Sequence, residues 1–294
     1  MKLIKPSVEY IPQEEERIPF KHIELCARTC YKSEDRITED SAHKFVDRLI
    51  RAGHWAMLEH GTLYLYLEVN PDNAFDQFEY VSARFTAPYN WSDVVGAIAA
   101  KYRANPYSEV NTIYNKNGRE VYITTNYRVI IDNDWVEDIQ FTCGSPTKYH
   151  KKRHTLRFTC ARIDSQSITR YRTNSFAQES QRFINYMQEI RGASVSFSEP
   201  IWIKPEDLEE LKQDAAISEQ LYFKWINKGY KPEEARYFLI NGTKTEIIVT
   251  AYEDDWRYFF DQRLRNSTGK PSSDMHHLAE LAHNTLKENV GLEL

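Results

Sequence analysis

The sequence predicts an α+β fold, a central antiparallel or mixed sheet flanked by helices. Segments of period 2 and of period 3.6 come in runs, without the regular βαβ alternation of a parallel sheet. No internal repeat or low-complexity linker divides the chain. Of 294 residues, 41% are apolar and 28% charged, which argues against disorder, collagen-like repeats and coiled coil. The length permits one large domain or two small ones, either with a sizeable core.

Residues 38–53 read as a helix, with Thr38 as N-cap, Glu39 and Asp40 at its positive end and Gly53 at C′. Ala42, Phe45, Val46, Leu49 and Ile50 fall on one face of it. Leu63, Leu65, Leu67 and Val69 then alternate with Tyr64, Tyr66 and Glu68, as in a half-buried strand. Residues 71–120, with weak periodicity and many Asn, Tyr and Pro, read as a long irregular insertion. Strands are expected at about 121–131 and 156–163. Residues 205–228 carry an amphipathic helical pattern, and Lys231-Pro232-Glu233-Glu234 restarts a helix with Pro in its first turn. A strand at Thr245–Thr250 and helices at 253–265 and 274–289 complete the chain.

No apolar run approaches the roughly 18 residues of a membrane span, and the N-terminus lacks a signal-peptide core. The expectation is a soluble, cytoplasmic protein without a membrane partner. A net charge of −5 argues against a nucleic-acid partner. Four cysteines do not make a disulfide framework. Cys26 and Cys30, four apart, can share a helix face, where packing is the expected role. His54, Glu59 and His60 lack zinc-hydrolase spacing, and no metal is expected. The basic run Lys148–Arg157 reads as solvated surface, with a nucleic-acid patch as the alternative.

The densest chemical signal lies in residues 162–182, which hold Arg162, Arg170, Arg172 and Arg182 and no Lys. Arg is the residue of choice for bidentate contacts to phosphate or carboxylate. Asn174, Ser175, Gln178 and Ser180 add short polar groups. Two readings stay open on these residues: an anion site, or a solvated helix face paired with Glu179 and Glu189.

The run from Arg170-Tyr171-Arg172 to Ser180 resembles the signature of flavin-dependent thymidylate synthases, R-H-R-x7-S, with Tyr171 in place of the His. Ser180-Gln181-Arg182-Phe183 resembles the family's following S-x-R-Y. Upstream, Cys30-Tyr31, Gly53-His54 and Glu59-His60 resemble its C-Y…G-H-x4-E-H stretch. Downstream, Arg236 and Arg263 fall where the family has two substrate arginines. The resemblance implies a single domain of the family's fold over residues 1–294, with an insertion at about 71–150. It also implies a homotetramer with active sites at subunit interfaces, converting dUMP to dTMP with FAD, methylenetetrahydrofolate and NADPH.

Carried over residue by residue, the resemblance implies dUMP contacts at Ser167, Arg170, Gln178, Glu179, Ser180, Arg182, Arg236 and Arg263. Backbone N–H groups near Gln178–Ser180 would assist in holding phosphate or ribose. Arg263 is the catalytic residue implied; its guanidinium would favour the ionised uracil and so activate C5, an electrostatic role because it cannot act as a base. FAD contacts are implied at His54, Arg170, Tyr171, Arg172, Gln178 and Tyr258. Ser180 reads as a binding hydroxyl, and no cysteine nucleophile is required. The chain departs from the family at Tyr171, at Ser167 where many members place Gln, and at Tyr252, Asp254 and Tyr258 around FAD. Those departures define the alternative, a catalytically impaired or inactive nucleotide-binding relative.

Overall fold

The computed structural model of the protein describes residues 1–79, 88–187 and 193–294. In chain order these form β1 (Lys2–Ile4), β2 (Ser7–Ile11), α1 (Phe20–Thr29), α2 (Ser41–Arg51), β3 (Thr62–Val69), β4 (Gln77–Glu79), β5 (Pro88–Asn90) and α3 (Trp91–Arg103). Next come β6 (Glu109–Asn115), β7 (Gly118–Asn126), α4 (Tyr127–Asp132), β8 (Arg153–Ala161), α5 (Arg162–Ile168), β9 (Ser175–Gln178) and β10 (Ser196–Ser198). The chain ends with α6 (Leu208–Asn227), α7 (Pro232–Ala235), β11 (Lys244–Tyr252), α8 (Glu253–Arg263) and α9 (Ser273–Val290). The predicted α+β class holds, with helices beside sheets whose registers are mostly antiparallel.

Two compact units divide these elements. The first comprises Met1–Ile11, Leu25–Ile37 and Thr155–Leu294. Its four-stranded sheet has the order β2-β8-β11-β9, with β2 antiparallel to β8 and β9 antiparallel to β11. Alternation aims Leu156, Phe158 and Cys160 of β8, and Ile247, Val249 and Ala251 of β11, into one core. Against them pack Trp256, Phe259 and Phe260 of α8, and Met275, Leu278, Ala279, Ala282 and Leu286 of α9. Ser272 caps α9 by accepting the Met275 N–H at 3.3 Å, and Gly291, with φ +69°, supplies the left-handed residue that ends it. A smaller core gathers Ile184, Tyr186, Phe197, Ala215, Tyr222 and Ala235 around α6 and the parallel pair β1-β10.

The second unit, Pro12–Glu24 and Thr38–His154, is built on the antiparallel sheet β3-β7-β6. α3 covers it with Val94, Val95, Ile98 and Tyr102, all buried. Residues 71–120 are therefore not irregular as expected. Asn90 accepts the Asp93 N–H at 3.0 Å and starts α3, and β6 pairs along β7; residues 80–87 of this stretch lie outside the described residues.

Other boundaries shift for local reasons. α2 starts at Ser41 rather than Thr38, because the Thr38 N–H donates to Ser41 Oγ at 2.9 Å and closes a turn ahead of the helix. The strand expected to reach 131 stops at Asn126, whose side chain accepts the Val129 N–H at 3.1 Å and opens α4. β8 starts at Arg153 rather than 156 and ends at Ala161. The basic run before it is partly interior: Arg153 is buried, donating to the Glu59 carbonyl at 3.0 Å and to Thr62 Oγ1 at 3.2 Å. Among the described residues no helix is long and apolar enough to cross a membrane.

Candidate active site

The predicted arginines of the first unit do not share one helix face. Arg162 opens α5, Arg170 and Arg172 lie in the turns after it, and Arg182 follows β9. The solvated-helix reading is thereby corrected, since α5 ends at Ile168 and β9 begins seven residues later, at Ser175. Its proposed partner Glu179 pairs with Lys244 instead, and Glu189 lies outside the described residues.

One group of predicted residues meets at the C-terminal end of α8. The acidic first turn of α8, Glu253, Asp254 and Asp255, suits its positive end and places the cationic Arg263 at its last position. Arg263 Nη2 lies 3.5 Å from the Ser167 carbonyl, and its guanidinium lies 5.6 Å from the Tyr171 ring centroid. Its Nε is buried without a hydrogen-bond partner among the described residues. The Arg263 carbonyl, for its part, lies 2.8 Å from His276 Nδ1. Tyr171 is 8% exposed, packs edge-on to Phe259, and donates its hydroxyl to Gln262 Oε1 at 2.9 Å. Burial raises the Tyr171 pKa, and Arg263 acts against that rise.

A second group forms around Glu233. Arg182 Nη2 lies 3.7 Å from the Glu233 carboxylate, and Arg236 Nε donates to the Glu233 carbonyl at 3.2 Å. Pro232 starts the short α7, which brings Glu233 and Arg236 to one turn. Beside Arg236, a cavity of about 400 Å³ is lined by Trp225, Tyr230, Tyr237 and Phe238. Among the described residues no hydrogen bond or ion pair joins this group to the one around Arg263.

The segment Gln178–Ser180 is tied inward. Gln178 Nε2 donates to Ser165 Oγ at 2.7 Å and to Thr245 Oγ1 at 3.2 Å. The Glu179 N–H donates to the Glu246 carbonyl at 2.8 Å, and the Ser180 N–H to the Cys30 carbonyl at 2.9 Å. The expectation that these N–H groups meet a phosphate is corrected at Glu179 and Ser180, because β11 and the turn after α1 already accept them. The Glu179 carboxylate also faces inward, onto Lys244 at 3.0 Å. Ser180 keeps its hydroxyl, at 3.4 Å from the Arg182 N–H.

Arg170 and Arg172 are exposed and carry no ion pair among the described residues. Tyr258 is exposed and edge-on to Tyr171. Asp254 pairs with Arg257 at 3.3 Å. His54 belongs to the second unit, where its N–H donates to the Leu49 carbonyl at 2.9 Å. The cysteines are free, and burial pushes the Cys30 thiol up to about 11 and those of Cys26 and Cys160 further. Residues missed in the sequence include Gln262, adjacent to Arg263, and Lys244 and Glu246, whose two-residue spacing on a strand puts them on one face.

The family model described as Thymidylate synthase complementing protein matches residues 14–90 and 152–290. A protein of Pyrococcus furiosus named Flavin-dependent thymidylate synthase is 30% identical over 144 residues, 48% of this chain and 59% of the relative. One of the same name from Pyrococcus horikoshii is 34% identical over 105 residues, 36% of this chain and 43% of the relative. The chain spans about half the length of the curated relatives it matches. A solved structure of the UMP/dUMP methylase PolB from Streptomyces cacaoi, bound with 5-Br dUMP, aligns with a TM-score of 0.43 at 12% identity, over 98% of this chain and 93% of that one.

Proposed function

The chain belongs to the thymidylate synthase complementing protein family, that of the flavin-dependent thymidylate synthases, and from that premise we propose that it methylates dUMP to dTMP. The co-substrates in this reading are methylenetetrahydrofolate and NADPH, with FAD as cofactor. The observation that carries it is Arg263: a guanidinium fixed by Ser167 and Tyr171, with a buried Nε that has no partner among the described residues. A positioned, unneutralised cation of this kind suits charge that develops on a uracil ring during reaction.

The other residues fit the same ligands. Arg182 and Arg236 both contact Glu233, one at its carboxylate and one at its carbonyl, and two guanidinium groups at one turn suit a nucleotide phosphate. Arg170 and Arg172, exposed and unpaired among the described residues, suit the diphosphate of a flavin dinucleotide. Asp254, whose charge would oppose that diphosphate, is offset by Arg257. Tyr258 offers an exposed ring, and His54 is retained from the resemblance as a further flavin contact. FAD, when bound and reduced, supplies the hydride; the chain's residues bind, orient and stabilise charge. A cysteine nucleophile has no place in this chemistry, and burial keeps Cys30 protonated at neutral pH.

In this reading the protein is a single domain acting as a cytoplasmic homotetramer with no nucleic-acid partner. Residues near 71–150 are its insertion, and the family match leaves 91–151 uncovered. The test is NADPH- and folate-dependent dTMP formation from dUMP by flavin-reconstituted protein. Arg263→Ala should abolish turnover in a protein whose assembly is unchanged; a wild-type protein that takes up flavin and forms no dTMP would sink the proposal. That last outcome is what the second reading, a nucleotide-binding relative without turnover, requires. It is favoured by the burial of Tyr171, which makes the central residue of the motif part of the core.

A further inference from the structure

Four charged side chains of alternating sign run beneath the motif serine. Lys32 pairs with the Glu246 carboxylate, Glu246 pairs with Lys244, and Lys244 lies 3.0 Å from the Glu179 carboxylate. Glu179 is 3% exposed, and its other oxygen lies 3.5 Å from the Tyr186 hydroxyl. Buried carboxylates are sustained only when paired, because removing a charge from water costs more than one hydrogen bond returns. Burial would raise the Glu246 pKa, yet the two lysines override it and hold the group down to about 2.

Two of these residues, Glu179 and Glu246, share a backbone bond next to Ser180, and Ser180 itself is bonded to the turn that holds Lys32. The Glu179 N–H donates to the Glu246 carbonyl, and the Ser180 N–H to the Cys30 carbonyl, two residues before Lys32. Lys32 itself sits at φ +50°, a left-handed conformation that a lysine rarely adopts. The pair with Glu246 anchors the side chain of this turn residue, and the turn receives the Ser180 N–H. From the juxtaposition of these ion pairs with the Ser180 backbone, we propose that Lys32, Glu246, Lys244 and Glu179 form one positioning device for Ser180. Glu179 acts within it as a positioning residue through Lys244, not as a direct contact to nucleotide. The proposal rests on the reading of Ser180 as part of the dUMP site.

The experiment compares Lys32→Met, Lys32→Arg, Glu246→Gln and Glu179→Gln with wild type, measuring dUMP binding by calorimetry and the KM and kcat for dUMP. Lys32→Met and Glu246→Gln should raise KM and the dUMP dissociation constant about tenfold with kcat within about twofold. The double variant should be no worse than either single, as members of one chain are non-additive. Lys32→Arg should restore wild-type KM. Thermal unfolding accompanies each variant, and Lys32, at the more exposed end of the chain, keeps the test available if Glu246→Gln fails to fold. Should Glu179→Gln shift KM while Lys32→Met leaves it unchanged, Glu179 touches nucleotide directly and the device is refuted. A loss of thermal stability with KM unchanged in every folded variant also refutes it, leaving a structural role only. A wild-type protein that does not bind dUMP refutes instead the functional reading beneath it.

Discussion

At Asp164, in the first turn of α5, a carboxyl group is buried near Asp274, and burial first and Asp274 second push its pKa up to about 6. A carboxyl whose folded pKa exceeds its unfolded value binds its proton more tightly when folded. Its stabilising effect is therefore complete below about pH 4 and is lost as pH rises through 6. From the unfolded value of 3.8 that loss amounts to roughly 3 kcal/mol. Asp164→Asn should thus stabilise the protein at pH 8, by up to about that amount, and have little effect at pH 4. Urea unfolding at the two pH values checks this; an equal difference at both would show that the charge is not the cause. Little of this was legible in the sequence, where Asp164 is one acid among 43 acidic residues and burial has no local signature. The arginines were legible because the spacing from Arg170 to Ser180 carries information on its own. The pairing of Gln262 with Tyr171 and of Glu233 with Arg182 was not, since each is set by a tertiary contact with no fixed offset.

On the scale of elements, α8 is the lever that holds Arg263. Its Trp256 is fully buried, stacks on Phe158 at 6.2 Å and on Phe260 at 6.1 Å, and joins the helix to the β2-β8-β11-β9 sheet. Trp256→Ala should cost about 3–5 kcal/mol of stability, the usual range for emptying a core aromatic site. In the fraction that stays folded, dUMP affinity should fall as well, because Arg263 lies two turns further along the same helix. Chemical denaturation and nucleotide titration of one preparation separate the two effects, and a stability loss with full affinity would show that α8 does not set Arg263. α6 was readable from its amphipathic pattern and α2 from its face of Ala42, Val46 and Leu49, while α8, α9 and β11 lie close to the bounds expected for them. α3 was hidden for a physical reason. Its buried positions Val94, Val95, Ile98 and Tyr102 are interrupted by small or polar residues and lie in a tract rich in turn formers. The end of β7 was missed because Asn126 interrupts a run of strand-forming residues, and its capping role depends on a bond to Val129.

Over the whole molecule, the proposed dUMP-site arginines of one chain fall into separate groups. Arg182 and Arg236 meet at Glu233, while Arg263 meets Tyr171 and Ser167, and no hydrogen bond or ion pair among the described residues joins them. One nucleotide needs its phosphate and its base held at the same time. In the proposed tetramer, the phosphate arginines of one subunit would face Arg263 of another, so that each site is completed only by assembly. Arg236→Ala and Arg263→Ala should then each be inactive alone yet complement one another. After the two are mixed, unfolded together and refolded, about one site in four should regain both native arginines. Activity should recover to that level, with native-size tetramer seen by mass measurement. If each chain held its site alone, every subunit would lack one arginine and mixing would restore nothing. A recovery absent from properly assembled mixtures would therefore place all three arginines within one subunit and remove the reason for assembly.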